Sequence, residues 1–306
     1  MNERVILVQL LVLIFLSINI LLIVTFFSKV YFYTVMRYIL FAVTLLSDSL
    51  ILIMSNVLLL LSYFRYTMQI GICVIIYIVL VLCTFVTPVT LTAMTLERYV
   101  AVCMPLRHGE LCSTHRALHC VFIIHSLSSV PCIVILSTFL ASAPLSLYTQ
   151  YNICSMGIFV FLQWQDNVKL ALYQCYFLIM CIIIVFCYVK IMKVAKAASG
   201  EDKQSSRKGL RTVALHGFQL LLCLIQLWCP FIEAAMLKIG LKLFIDVRYF
   251  NYIIFNLTPR CMSSLIYGFR DDKFFLALKH NVPFIFQCVK TNVIYCPLNC
   301  AGQLIV

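Results

Sequence analysis

The sequence predicts an all-α membrane protein: a bundle of seven transmembrane helices followed by a short amphipathic helix on the cytosolic side. Two observations carry this prediction. First, 63% of the 306 residues are hydrophobic and 11% are charged, against roughly 45–50% and about 25% in soluble domains. A soluble fold cannot hide so much apolar surface, so most of it must face lipid. Second, the apolar residues fall into seven runs of bilayer-spanning length.

The seven runs follow one another along nearly the whole chain, separated by more polar gaps. We predict them at 5–27, 38–63, 71–96, 118–141, 168–190, 212–236 and 248–269, and number them span 1 to span 7. Helix is the expected form, because lipid offers no hydrogen-bond partner to backbone polar groups. Span 1 lacks the layout of a cleaved signal peptide, so we expect it to be retained.

The 23 Lys and Arg residues are distributed unevenly between the gaps. Most lie in the gaps after spans 1, 3 and 5 and in the segment after span 7. Because basic residues concentrate on the cytoplasmic side of membrane proteins, this pattern predicts an extracellular N-terminus and a cytosolic C-terminus. Nucleic-acid binding is disfavoured despite the net charge of +12, because a phosphate-binding surface would gather its basic residues on one soluble face.

The segment after span 7 predicts a short helix over 271–279. Its Phe274, Phe275 and Leu278 are placed on one helical face, which indicates a helix lying along the membrane surface. We therefore divide the chain into a seven-transmembrane domain at 1–281 and a short cytosolic tail at 282–306, for which no periodicity predicts a structure.

Cysteine usage and polar spacing predict no catalytic or metal chemistry. Most of the 16 cysteines lie inside apolar runs, where Cys behaves as a small buried hydrophobic residue. None shows the paired spacing that tetrahedral zinc requires. The spans also carry no Ser/His/Asp set and no phosphate-binding loop, so an enzyme is not expected.

The end of span 3 carries the most specific motif of the chain. Glu97-Arg98-Tyr99 is followed by Ala101-Val102-Cys103-Met104-Pro105-Leu106-Arg107-His108. On spacing alone, the charged pair could be an ordinary cytosolic anchor. It could also be a latch, in which Glu97 offsets the Arg98 guanidinium until the helices separate.

The longer string resembles the E/D-R-Y motif and the "xAVCxPLRH" continuation of rhodopsin-like G-protein-coupled receptors, especially fish odorant receptors. Other matching positions are Asn19, Asp48, Trp228-Cys229-Pro230, Pro259-Arg260-Cys261, His216 to Leu221 and Leu265 to Asp271. The chain departs from the family at N-P-x-x-Y, which reads Ser263-Ser264-Leu265-Ile266-Tyr267, and it lacks the Trp of helix 4. The resemblance implies an odorant-activated receptor in the plasma membrane that signals to a cytosolic heterotrimeric G protein.

The resemblance also implies roles for individual residues. The expected activation and G-protein-coupling residues are Glu97, Arg98, Tyr99, Tyr188, Trp228, Pro230 and Tyr267. Prolines at 88, 131 and 230 predict interruptions of their helices, and Trp228 would act as a lever at the last of them. The resemblance further implies a disulfide between Cys73, which opens span 3, and Cys154 in the next outer loop.

Asp48 is an acid in the middle of a bilayer-length run, which makes it a functional candidate. The resemblance implies a sodium or proton site here, with Thr87 and Ser263 nearby. The alternative is a protonated Asp48 that hydrogen-bonds helices 1 and 7 as a packing element. The sequence leaves both interpretations open.

A ligand pocket is expected among the outer halves of spans 3, 5, 6 and 7, because ligand sites of helix bundles form between facing helices. The candidates are Tyr77, Leu80, Val81, Tyr173, Gln174, Phe231, Ile253 and Leu257. Leu80 stands where amine receptors of this class carry Asp, which disfavours a simple aminergic role. Glu233 could pair a cationic ligand, but we favour a side chain that extends toward the outer surface.

Three other interpretations remain. One is a rhodopsin-like receptor for a non-odorant ligand, and another is a receptor copy that does not signal. A transporter or channel would show paired repeats, or several acids and bases along one path. Only Asp48 and Glu233 are acids well inside the spans, so this class is disfavoured.

Overall fold

The structure is a computed structural model that describes residues 3–154, 162–197, 214–215, 217–268, 271 and 273–281. The predicted tail at 282–306 lies outside these residues. The helices are α1 Glu3–Phe27, α2 Tyr31–Thr34, α3 Met36–Tyr63, α4 Ile70–Cys103, α5 Pro105–Leu111, α6 Thr114–Ser142, α7 Gln163–Ala197, α8 Gly217–Gln226, α9 Cys229–Ile239, α10 Leu241–Asn251, α11 Thr258–Gly268 and α12 at 273–281. The described elements also include a 3-10 turn at Leu145–Leu147, a π-helical turn at Tyr252–Leu257 and two short strands, β1 Met68–Gln69 and β2 Tyr151–Asn152.

The described residues of the predicted spans fall on helices, apart from the turn at 227–228 in span 6. Within the described residues, α1, α3, α4, α6 and α7 are each long and apolar enough to cross a membrane, and α8 and α9 meet this criterion as one pair bent by 46°. Predicted span 7 falls on α10, a π-helical turn at Tyr252–Leu257 and α11, which follow one another without a break and are not among the helices that meet the criterion. This run is less apolar because it carries Arg248, Asn251, Asn256 and Arg260.

The three prolines behave differently from one another. Helices α4 and α6 continue through Pro88 and Pro131, so the prediction of interruptions there is wrong. Thr92 Oγ1 donates to the Pro88 carbonyl at 2.9 Å. Neighbouring helices and hydroxyl side chains make proline tolerable within a membrane helix. At Pro230 the predicted interruption is present, because α8 ends at Gln226 and α9 begins at Cys229.

Helix α4 lies at the centre of the bundle and packs against α3, α6 and α7. The main apolar core includes Leu22, Phe41, Phe85, Phe139 and Leu220. The outward faces of the long helices carry large exposed apolar side chains, among them Leu13, Phe122 and Ile182. Exposed apolar surface on this scale fits a bundle whose outer solvent is lipid.

The predicted disulfide is present at one end of the bundle. Cys73 and Cys154 are joined, with their Cα atoms 5.6 Å apart. Beside them, β1 and β2 pair antiparallel, with Met68 opposite Asn152 and Gln69 opposite Tyr151. The disulfide and this short ladder tie the loop after α6 to the start of α4.

Helix α12 occupies 273–281, close to the predicted 271–279. Phe274 and Leu278 are buried against the core, whereas Phe275 is 42% exposed. Phe275 follows Phe274 by one residue, about 100° further around the helix, so it lies at the edge of the predicted face and not against the core. Asp271 accepts hydrogen bonds from Arg37 at 2.5 Å and from Tyr38 at 2.9 Å. The placement of α12 along a cytosolic membrane surface stays a prediction.

Candidate functional site

Asp48 on α3 is fully buried, and the two residues expected beside it are its partners. Thr87 Oγ1 on α4 donates to Asp48 Oδ1 at 2.9 Å. Ser263 Oγ on α11 donates to Asp48 Oδ2 at 2.9 Å. The structure therefore brings Asp48, Thr87 and Ser263 together between three helices.

Arg260 is a fourth member of this site, and sequence analysis named it only as part of a family motif. Its Nη1 lies 2.8 Å from Asp48 Oδ1, and both side chains are 0% exposed. Its Nη2 donates to Gln226 Oε1 on α8 at 3.1 Å. Removing two charges from water is costly and needs good geometry together with extra hydrogen bonds. Thr87, Ser263 and Gln226 supply those bonds here.

The hydrogen-bond network continues to the neighbouring helices. Gln219 on α8 donates through Nε2 to Ser263 Oγ at 2.5 Å and to the Pro259 carbonyl at 3.1 Å. Ser264 on α11 donates to Asn19 Oδ1 on α1. We call Asp48, Arg260, Thr87, Ser263, Gln219, Gln226, Asn19 and Ser264 the polar cluster. It connects α1, α3, α4, α8 and α11 in the interior of the bundle.

One feature of the sequence could have indicated that Arg260 belongs to this site. An Arg inside a membrane helix pairs with an acid or with backbone carbonyls, because an isolated charge is expensive there. Asp48 is one of only two acids well inside the predicted spans, so a search for the partner of Arg260 would have reached it.

These residues do not fit a sodium ion beside Asp48. The carboxylate already has a guanidinium at 2.8 Å and two hydroxyl donors at 2.9 Å each. A second cation roughly 4 Å from the guanidinium would be repelled by about 4 kcal/mol at an effective dielectric constant of about 20. The contact with Arg260 favours a charged Asp48 over the neutral alternative, whereas the hydrogen bond from Ser263 retains the expected packing contact with α11.

The Glu97–Arg98 pair lies near the end of α4. Arg98 Nε is 3.9 Å from Glu97 Oε2. The other carboxylate oxygen, Oε1, is 3.3 Å from Nε2 of His108 on α5. Glu97 is 8% exposed and lies between these two side chains, but among the described residues neither its Oε2 nor Arg98 Nε has a hydrogen-bond partner. His108 belongs to the motif that follows Arg98, and the sequence alone does not predict this contact.

The other predicted switch residues lie on several helices. The ring centroids of Tyr99 and Phe186 are 5.6 Å apart, which connects α4 to α7. Trp228 lies at the bend before Pro230, with its ring centroid 6.2 Å from that of Phe177. Tyr188 is half-buried on α7. The side chain of Tyr267 lies outside the described residues.

The structure brings part of the predicted pocket together. Tyr173 on α7 packs edge-on against Phe85 and Phe231, with centroid distances of 5.1 and 6.2 Å. Tyr77 and Val81 line a narrow cleft against α6. We call Tyr77, Val81, Phe85, Tyr173 and Phe231 the aromatic cluster.

The remaining pocket candidates are not part of this cluster. Leu257 belongs to a second apolar cluster with Val8, Val12 and Leu52, and Ile253 packs against it. Gln174 is half-buried on α7, and Leu80 is buried. Sequence spacing could not separate these groups, because it does not fix the rotation of α10 and α11 about their axis.

The chain matches the sequence model of a known family of membrane receptors. The model of the seven-transmembrane receptors of the rhodopsin family matches residues 18–263. The chain belongs to this family. Its members are signalling receptors rather than enzymes, with several membrane-spanning helices, a small-molecule ligand and coupling to G proteins. The predicted fold class is thereby confirmed, and so is the prediction that the chain is not an enzyme.

Individual members of the rhodopsin family resemble the chain to different degrees. Odorant receptor 131-2 of Danio rerio is 41% identical over 281 residues, which cover 92% of this chain and 86% of that protein. Rhodopsin of Chelon labrosus is 23% identical over 154 residues, 48% of this chain and 41% of that protein. Green-sensitive opsin of Oryzias latipes is 25% identical over 151 residues, which cover 48% of this chain and 42% of that protein.

Proposed function

We propose that this rhodopsin-family receptor is activated by a small odorant and transmits the signal to a cytosolic heterotrimeric G protein. The observation that carries the proposal is the 41% identity to Odorant receptor 131-2 along 92% of the chain. The aromatic cluster is the proposed binding region, and the Glu97–Arg98 pair is the proposed coupling region. The polar cluster connects the two. We expect a receptor of this kind in the plasma membrane.

The proposed orientation places the N-terminus outside the cell and the C-terminus inside. Disulfides persist in oxidising compartments, which supports an extracellular position for Cys73 and Cys154. Basic residues support a cytosolic position for the opposite end, where α4 ends and where Lys190, Lys193 and Lys196 close α7. Arg98 then faces the cell interior.

The proposed mechanism is a shift between two arrangements of span 6. An odorant at the aromatic cluster contacts Phe231 on α9, just beyond the bend at Trp228. If it binds more tightly when α8 has swung outward, it shifts the population by that difference in affinity. The outward movement opens a cytosolic cleft lined by Arg98, Tyr188 and Tyr267, which receives the G protein. Glu97 and His108 hold the resting arrangement.

Loss of Arg98 tests this function directly. In cells that express the receptor and are screened with odorant mixtures, we expect an odorant-dependent rise in cyclic AMP. Arg98→Ala should reduce that response at least about tenfold while surface display is retained, because the residue acts at the coupling end. Arg116→Ala, which removes an exposed arginine at the start of α6, is the matched control and should respond normally. If the wild-type receptor is displayed at the surface and no mixture raises cyclic AMP, the proposal is contradicted.

A further inference from the structure

The charge at Asp48 is neutralised from within the chain. We propose that Arg260 is a tethered counter-ion, which takes the place that a free sodium ion would hold. The stability of the resting receptor would then not depend on sodium. The structural part of this inference stands on the polar cluster alone. Its consequence for regulation rests on the proposed receptor function.

The polar cluster already satisfies the carboxylate. Oδ1 of Asp48 receives Arg260 Nη1 at 2.8 Å and Thr87 Oγ1 at 2.9 Å, and Oδ2 receives Ser263 Oγ at 2.9 Å. Asp48 and Arg260 together carry no net charge, and neither is exposed. A further cation would leave one uncompensated positive charge in a buried site, which is strongly unfavourable.

The counter-ion is also connected to the helix that is proposed to move. Arg260 Nη2 bonds Gln226 on α8 at 3.1 Å, two residues before Trp228 and at the 46° bend. Any swing of α8 must lengthen this bond or carry Arg260 with it. A tethered cation cannot diffuse away, so its effective concentration at Asp48 does not depend on the medium.

The test compares sodium with an ion too large for the site. The melting temperature of the purified receptor is measured in about 150 mM sodium chloride and in choline chloride at equal ionic strength. We expect wild-type values within about 1 °C of each other, because a ligand that does not bind gives no stabilisation. Arg260→Met, which exposes the Asp48 carboxylate to a free cation, should melt several degrees higher in sodium than in choline.

The double variant Asp48→Asn/Arg260→Met is the control and should show no sodium effect. A sodium-specific rise in the melting temperature of the wild type that this double variant lacks would overturn the proposal. The wild-type comparison decides the question even if Arg260→Met fails to fold. Because no odorant is used, failure here is separate from failure of the proposed receptor function.

A second, independent observation concerns Lys169 on α7. Its side chain is buried, with the residue 8% exposed, and its Nζ lies 5.7 Å from the centroid of the Phe231 ring. It lines a cleft together with Tyr77, Thr138 and Gln165. Lys169 therefore brings a positive charge to the edge of the aromatic cluster.

Among the described residues, Lys169 forms no ion pair. Glu233 accepts from Asn251 at 3.3 Å and lies 3.9 Å from Arg248, and Asp246 pairs with Arg4. Asp166, one turn before Lys169, is exposed to solvent and attracts the ammonium group without forming an ion pair with it. The segment 155–161, which the structure does not describe, contains no Asp or Glu in its sequence. A buried ammonium group without an anion is costly, and a bound anion would remove that cost.

We propose that Lys169 binds the anionic group of the odorant, so that the ligand class is small amphiphilic carboxylic acids. The carboxylate would pair with Nζ, and the apolar body would lie on the rings of Tyr77, Tyr173 and Phe231. This inference rests on the proposed odorant receptor function and specifies its ligand. It agrees with Leu80, which leaves a cationic amine without the usual acidic partner.

The test uses matched straight-chain probes of six to ten carbons, each as carboxylate, alcohol and amine. We expect cyclic AMP responses to carboxylates only. Lys169→Met should raise the half-maximal concentration at least about tenfold, because the buried carboxylate would lose its counter-charge. Lys169→Arg keeps the positive charge and should retain most of the response. Lys238→Met, at an exposed lysine on α9, is the control.

Responses to alcohols or amines equal to those to carboxylates, or no response to any carboxylate, would overturn the assignment of Lys169. A receptor that responds to the odorant mixtures but not to these acids would still be an odorant receptor. The two failures are thus distinguishable.

Discussion

Asp48→Asn will remove most of the folded receptor from the cell surface. The substitution keeps the shape of the side chain but leaves Arg260 charged and 0% exposed. Removing one partner of a buried ion pair typically costs about 3–5 kcal/mol. That is a large share of a total stability of about 5–15 kcal/mol. Surface display by flow cytometry and the melting temperature of the purified receptor would measure the loss.

The double variant Asp48→Asn/Arg260→Met distinguishes the cost of an unpaired buried charge from the cost of changing the side chains themselves. We expect it to recover most of the display, because replacing both partners of a buried pair by neutral groups is often neutral or stabilising. Ser263→Ala, which removes one hydrogen bond to Asp48, should cost only about 1–3 kcal/mol. An Asp48→Asn receptor as stable as the wild type would show that the two charges do not depend on each other.

Loss of the Cys73–Cys154 disulfide is expected to have the second largest effect. The bond joins residues separated by 81 positions, and removal of a native disulfide of this kind typically costs about 2–5 kcal/mol. The β1–β2 ladder pairs only two residues on each strand and cannot hold the loop by itself. The double variant Cys73→Ser/Cys154→Ser should therefore show a lower melting temperature and a weaker odorant response.

Cys175→Ser is the matched control for the disulfide. Cys175 is a free, exposed cysteine on α7, so its replacement should change neither quantity. Because the wild-type bond is reducible, treatment with a thiol reductant should lower the melting temperature of the wild type and leave the double serine variant unchanged. Full stability of the double serine variant would contradict this role for the bond.

Most of the fold could be predicted because it depends on quantities that a sequence displays. The length of an apolar run indicates a membrane crossing directly, and the described residues of the seven predicted spans are helical apart from the turn at 227–228. The ends of the helices were less predictable than their positions. Helix α4 runs to Cys103 and α7 to Ala197, beyond the predicted 96 and 190, because a helix does not stop where the apolar run stops.

The candidate site could be predicted only in part, because contacts between distant helices depend on how each helix is rotated. Asp48, Thr87 and Ser263 were expected together from the family resemblance. The pairing of Asp48 with Arg260 spans 212 positions, so no local pattern predicts it, and only a comparison of the few charged residues inside the spans could have indicated it. The same limit explains why Ile253 packs against the cluster of Val8 and Leu52 and not with Tyr173.

Membrane topology tests the central claim most directly, since every proposed role depends on which end of the bundle faces the cytosol. A short epitope at the N-terminus and a second one inserted after Glu110, at the end of α5 in the connection between α4 and α6, can be probed with antibody before and after permeabilisation of the plasma membrane. We predict that intact cells expose only the N-terminal epitope and that the loop epitope appears after permeabilisation. Detection of the loop epitope on intact cells would place Arg98 outside and contradict the account.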